Sequence, residues 1–192
     1  MEEGRTLARF DHPNIVRVRS YFEAFGTGYL VMDYYEGRTL ADHLARRGGT
    51  LAEEEAVSII WDVLRGLQSV HEEGMLHRDI DPQNVYRTDE GHIVLLDFGA
   101  ARMAMGERSA DERVIFKPGY APPEQYVGGG EEGPWTDVYA CAATLYRCLT
   151  GLRPPAAGRR LEEAKLVAHH DIDPGVSLGR TGAVLRGWPL SP

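Results

Sequence analysis

An α+β fold is what this sequence predicts, and three observations carry it. Strand-like alternation occupies residues 15–34 around the glycine-bearing turn Phe25-Gly-Thr-Gly28. Apolar residues at helical spacing then run through Ala56, Ile59, Ile60, Val63, Leu64, Leu67 and Val70. A second apolar helix is expected from Trp135 to Thr150. Strands placed ahead of long helices, with no regular alternation between the two, are the pattern of an α+β domain. At 192 residues the chain is long enough for one large domain, or two small lobes, around a real core.

In chain order, Met1 to Phe10 reads as the end of a helix, with Leu7 and Phe10 on one side, closed by Asp11-His-Pro-Asn14. Ile15 to Tyr21 sets Val16, Val18 and Ser20 against Arg17, Arg19 and Tyr21, a strand with one solvated face. Its expected partner is Tyr29 to Tyr34. The Gly26-x-Gly28 pair between them is a turn and not a phosphate loop, because a strand follows it where a phosphate loop would open a helix. Thr39 is placed to cap a short helix through Leu44. Thr50 and Glu53 have the spacing of a capping box before the long amphipathic helix, which Gly74 closes. Trp61 on that helix is expected to serve packing. Val85 to Arg87 and His92 to Leu96 flank Asp89-Glu-Gly91 as a hairpin, and Gly128 to Gly133 is an acidic flexible loop.

Composition narrows the function. A formal charge of −8 argues against a protein that binds nucleic-acid backbone, while leaving room for a single nucleotide. Cys141 and Cys148 lie on one helix, too far apart to bridge each other, and read as buried thiols in a reducing cytosol. No apolar run approaches the roughly 18 residues of a membrane span, so a cytoplasmic protein without a membrane segment is expected.

The chemistry gathers at His77-Arg-Asp-Ile-Asp-Pro-Gln-Asn84 and at Asp97-Phe-Gly99, where Asp97 comes thirteen residues after Asn84. A carboxylate that can take a proton, an Asn five residues on, and an Asp after a short strand suit phosphoryl transfer. That reaction needs one group to orient the attacking hydroxyl and oxygen ligands to hold Mg²⁺ on the phosphates. With Pro118-Gly-Tyr-Ala-Pro-Pro-Glu-Gln-Tyr126 and Trp135-Thr-Asp-Val-Tyr139, these stretches resemble the catalytic core of protein kinases, and bacterial serine/threonine kinases in particular.

The resemblance implies a protein-kinase-like fold. Residues 1–35 would be a partial small lobe, 36–170 a mostly helical large lobe, and 171–192 a disordered tail. It implies ATP and Mg²⁺ as cofactors and protein Ser or Thr hydroxyls as acceptors. Asp79 would be the catalytic carboxylate, and Asn84 and Asp97 the Mg²⁺ ligands. Met32 would line the adenine pocket, Asp33 to Tyr35 would form the hinge, and Tyr86 would pack under the base. Glu3 stands where the family keeps the glutamate that pairs with the ATP-binding lysine. His77 would be an imidazole in the core, Arg78 a guanidinium facing the activation segment, and Asp137 a brace for the backbone of the catalytic loop. A bare N-terminal dipole contact is the plainer reading of Asp137. Gly99 to Glu124 would be the activation segment, with Ser109 the candidate phosphosite.

Three departures qualify that picture. Where the family has Lys two residues after the catalytic Asp, this chain has Asp81. Where it tends to have Thr three residues before Tyr120, this chain has Lys117. The two changes look complementary, with Lys117 pairing with Asp81 or reaching the γ-phosphate. No Gly-rich loop or lysine-bearing strand precedes residue 10, and no late Arg motif is present to pair with Glu124, Arg180 and Arg186 being weak substitutes. On this reading the chain is truncated at both ends. A catalytically inactive binding scaffold and a non-functional fragment therefore stay open as alternatives to an active kinase.

Overall fold

The computed structural model describes residues 11–97, 117–126 and 131–157. Two sheets and two long helices make up the described chain. β1 (Val18–Ala24) and β2 (Thr27–Met32) form an antiparallel pair, turning at Phe25 and Gly26. β3 (Gly37–Thr39), β4 (Val85–Thr88) and β5 (Ile93–Leu95) form a second antiparallel sheet in that order. Between β3 and β4 come α1 (Leu40–Arg46) and α2 (Glu53–Glu72); α3 (Pro123–Tyr126) and α4 (Pro134–Thr150) follow β5.

The expected alternation along the first strand holds only to Val18. A bulge lies between Val18 and Ser20, which pair with Met32 and Val31 respectively. An extra residue in one strand reverses which side chains face the core. Val16 and Val18 are accordingly buried, while Ser20 is exposed and shares its face with Phe22.

Residues 14–16 fasten this hairpin to the larger sheet. Leu95 N–H donates to the Asn14 carbonyl and Val16 N–H to the Leu95 carbonyl, a parallel bridge centred on Ile15. The Asn14 amide adds a 2.8 Å bond to the Ile93 carbonyl. Asn14 is buried, so both its backbone and its side chain need these partners.

The core is where α2 packs on α4 beneath β4 and β5. Ile59, Ile60, Val63, Leu67 and Val70 of α2 meet Cys141, Leu145, Cys148 and Leu149 of α4, with Val85 and Leu95 above them. Both cysteines are buried free thiols, as expected. Trp61 is not part of this core. It is 63% exposed, on the face of α2 that carries Glu54, Ser58 and Arg65, one step off the apolar stripe.

The caps divide in the same way. Thr39 Oγ1 accepts from Asp42 N–H at 3.1 Å, as its position predicts. Thr50 does not cap α2. The helix starts after Ala52, because Leu51 is buried and donates its N–H to the Cys148 carbonyl, which draws the entry strand onto the end of α4. Three glutamates in the first turn of α2 leave negative charge at its positive end. Gly74 stands two residues past the last helical residue, with φ +72° and its N–H on the His71 carbonyl. No helix among the described residues is long and apolar enough to cross a membrane.

Candidate active site

The loop from His77 to Asn84 is held from both sides before any catalytic group is considered. Asp137, fully buried in the first turns of α4, accepts from His77 N–H at 2.9 Å and Arg78 N–H at 2.8 Å. His71, on the last turn of α2, gives the same carboxylate a ring-nitrogen contact of 2.8 Å. Asp137 therefore braces the loop backbone, as the resemblance implied, and does more than sit at a helix end.

His77 is the pin of the loop. Its Nε2 reaches the Leu96 carbonyl at 2.8 Å, and its Nδ1 accepts from Asp79 N–H at 3.2 Å. One nitrogen donating and the other accepting requires the neutral ring protonated at Nε2. Complete burial agrees, because it pushes the His77 pKa down and outweighs the anions nearby.

Asp79 is the residue at which the sequence places the candidate catalytic carboxylate. Asn84 Nδ2 donates to its Oδ2 at 2.9 Å and to its backbone carbonyl at 2.6 Å. Asn84 and Asp79 are thus locked together across the turn. That turn is built by Asp81, whose Oδ1 accepts from Gln83 N–H at 2.8 Å and Asn84 N–H at 3.2 Å. Leu96 N–H donates to the Asn84 carbonyl, which sets the next residue, Asp97, beside the loop. Asp97 is exposed and has φ +48°, an uncommon backbone for a residue with a side chain.

Lys117 joins this group. Its Nζ lies 3.0 Å from Asp79 Oδ1 and 3.1 Å from Asp81 Oδ2. The ammonium therefore balances two carboxylates, the second of them only 6% exposed. The segment bearing Lys117 is fixed by Gly119, whose φ is +93° and where a Cβ would stand 2.3 Å from the Pro154 carbonyl oxygen. Only glycine fits so close a backbone approach.

The remaining sequence candidates are spread more widely. Tyr86 donates its hydroxyl to the Tyr35 carbonyl at 3.2 Å, so these two are in contact. Met32 closes β2 against Val18. Asp33 donates its N–H to the Arg17 carbonyl, and its carboxylate is paired with Arg19, which holds its pKa below the usual value. Glu3, Phe98, Gly99, Ser109, Arg180 and Arg186 lie outside the described residues.

Two partners escaped sequence reasoning. Glu124 accepts from the Thr136 hydroxyl at 3.0 Å, tying α3 to the start of α4. Arg78 Nε donates to Glu132 at 2.7 Å. In sequence Glu132 is one of two adjacent acids in a glycine-rich loop, and nothing local marks it.

The donor set suits a hard divalent cation. Asn84 spends its amide nitrogen on Asp79, so its oxygen is the end suited to a metal, and Asp97 presents an exposed carboxylate. No group of three or more His, Cys, Asp or Glu placed to hold a metal ion occurs among the described residues. That is no obstacle for Mg²⁺, which keeps several waters and is bound through one or two protein oxygens plus phosphate.

A loop aspartate locked to an asparagine, a second aspartate after a short strand, and a buried aspartate bracing the loop define a protein-kinase-type site. Residues 1–174 match the family described as the protein kinase domain, and the chain belongs to that family. PknL, a serine/threonine-protein kinase of Mycobacterium tuberculosis, is 33% identical over 188 residues, covering 97% of this chain and 45% of that protein. The serine/threonine-protein kinase RUNKEL of Arabidopsis thaliana is 31% identical over 175 residues, 91% of this chain and 13% of that protein. Among solved structures, PpkA-294 in its apo form superposes with a TM-score of 0.85 at 35% identity, covering all of this chain and 67% of that one. The Mycobacterium tuberculosis PknI kinase domain gives 0.79 at 27% identity, covering 100% and 70%. The chain spans 45% or less of the length of these two curated relatives.

Proposed function

We propose that this chain is the catalytic part of a serine/threonine protein kinase that transfers the ATP γ-phosphoryl group to Ser or Thr hydroxyls of proteins. The observation that carries the proposal is the joint placement of Asp79, Asn84 and Lys117 within hydrogen-bonding distance. On this reading residues 1–35 belong to a small lobe and 36–170 to a large one. Tyr35 and Tyr86, in contact through the Tyr86 hydroxyl, would serve with Met32 and Asp33 on the adenine side.

Asp79 orients the acceptor hydroxyl and takes its proton as the oxygen attacks the γ-phosphorus and the bond to the β-phosphate oxygen breaks. Asn84 fixes the Asp79 carboxylate by its amide hydrogen. Lys117 replaces the cation that relatives carry two residues after the catalytic Asp, holding Asp79 in place and offering its ammonium to the γ-phosphate. Mg²⁺, when bound by Asn84 and Asp97, supplies charge neutralisation on the phosphates. Such positioning and electrostatics carry most of the catalysis in phosphoryl transfer.

The test is incorporation of label from γ-labelled ATP into a serine-bearing protein by the full-length protein. Asp79→Asn should lower the rate by about 10²–10⁴-fold with nucleotide binding kept. Asp97→Asn should lose Mg²⁺-dependent nucleotide binding. If the wild-type protein binds no MgATP, the enzymatic reading fails and the chain is a binding scaffold.

A further inference from the structure

Arg78, the residue immediately before the catalytic Asp79, has φ +68°, a left-handed backbone that a residue with a Cβ adopts only when its surroundings impose it. Among the described residues, those surroundings hold its N–H, its carbonyl and its guanidinium. Its N–H goes to Asp137 at 2.8 Å, its carbonyl accepts from Gln125 Nε2 at 3.3 Å, and its guanidinium Nε donates to Glu132 at 2.7 Å. Asp137 and Glu132 come from the same place. Glu132 directly precedes Gly133, which caps α4, and Asp137 lies in the opening turns of that helix. Gly133 is anchored in turn, its N–H donating to Thr136 Oγ1 at 3.3 Å and its carbonyl accepting from Thr136 N–H at 2.8 Å. One helix start therefore delivers one carboxylate to the backbone of Arg78 and another to its side chain.

In kinases whose activation segment is ordered by phosphorylation, the added phosphate works by pairing with arginine. It brings about −1.5 to −2 charges and several acceptor oxygens. In this chain a genetically encoded carboxylate already occupies the Arg78 guanidinium, with the side chains 37% and 26% exposed. The sequence offers little for the alternative, since Ser109 is the sole Ser or Thr between Gly99 and Tyr120.

We propose that Glu132 is a positioning residue that holds Arg78, and through it Asp79, in the working geometry, so that phosphate transfer by this chain needs no phosphorylation of the activation segment. The proposal rests on the kinase reading above and deepens it. Glu132 acts through Arg78 and touches no substrate.

The test uses full-length protein freed of phosphate by a phosphatase and checked by intact mass. It compares wild type, Ser109→Ala, Glu132→Gln and Glu132→Asp. Wild type and Ser109→Ala should transfer phosphate at the same rate before and after phosphatase treatment. Glu132→Gln should lose on the order of 10- to 100-fold in kcat with the KM for ATP little changed, and Glu132→Asp should recover most of it. Loss of activity on dephosphorylation, or an unaffected Glu132→Gln, overturns the proposal. A second measurement does not depend on catalysis: amide hydrogen exchange over residues 77–80. Faster exchange in Glu132→Gln, restored in Glu132→Asp, supports the positioning role, and equal protection in all forms overturns it. A wild type without any transfer activity refutes the kinase reading, and the exchange result still decides whether Glu132 holds the loop.

Discussion

Lys117 stands between two carboxylates, and removing it takes away the one counter-charge that Asp79 and Asp81 share among the described residues. Lys117→Ala is expected to lower kcat on the order of 10²-fold, the usual loss when one preorganised donor is deleted at a phosphoryl or acyl centre. Asp81→Lys in that background should recover part of the loss, because it returns a cation to the same loop. Full recovery is not expected, since Asp81 also accepts from Gln83 and Asn84 N–H. Steady-state rates of the single and double variants decide this, and equal rates in all of them would remove Lys117 from the mechanism. His77 gives a prediction of another kind. Its pKa is lowered in the fold by burial, so the unfolded chain binds the extra proton first as pH falls. Its stabilisation is complete above the unfolded value of 6.5 and is lost as pH drops from there toward the depressed folded value. Urea midpoints followed from pH 7.5 downward (~7.5 to ~5.5) should fall less steeply for His77→Leu than for wild type. The motif residues were legible because their spacing is local. The Glu132–Arg78 and Thr136–Glu124 pairs were not, because no short-range pattern announces which of several acids closes a contact made in the folded chain.

Among the elements, α4 carries the most consequence. Its Asp137 satisfies two backbone donors of the loop from His77 to Asn84 inside the protein. Asp137→Ala strands both, at about 1–3 kcal/mol each, and should show as a lowered urea midpoint together with loss of protection at His77 and Arg78. The loop bearing Lys117 gives a sharper contrast between stability and activity. Gly119→Ala places a Cβ against the Pro154 carbonyl at a left-handed φ. It should reduce phosphate transfer more than it reduces stability, because the displaced segment is the one that carries the ammonium. At this scale the sequence was readable wherever a signal is short in range. The Thr39 cap reaches three residues along the chain, and the α2 stripe repeats every turn. It misled where distant backbone intervened. Leu51 is claimed by Cys148, which overrides the Thr50 capping signal, and the bulge after Val18 reverses an alternation that the residues themselves continue.

For the whole molecule, the junction at residues 14–16 decides how the two sheets behave together. Asn14, Ile15 and Val16 hold the β1–β2 hairpin to β5, the strand that leads into Asp97. Nucleotide bound between the Tyr35 side and the Asp97 side would add a second tie across that junction. MgATP at 100 times its Kd should therefore stabilise the protein by about 2.7 kcal/mol, and Asp97→Asn should abolish the Mg²⁺-dependent part. Thermal melts with and without MgATP test both statements. The α+β class was visible in the order of strands and helices. The parallel bridge between Ile15 and Leu95 was not, since it joins residues eighty apart across a gap no periodicity spans.

The paired thiols of α4 turn this architecture into a clock. Alkylating reagents react with thiolate, and burial pushes Cys148 up to about 12 and Cys141 well above its ordinary value. While α2 and α4 stay packed, both sulfurs should be almost inert to iodoacetamide at pH ~8. Labelling then reports how much of the time the two helices are apart, with no engineered probe. The label count by mass against time, set against the rate for the unfolded chain, would give the opening equilibrium of the core, and saturating MgATP should slow the labelling.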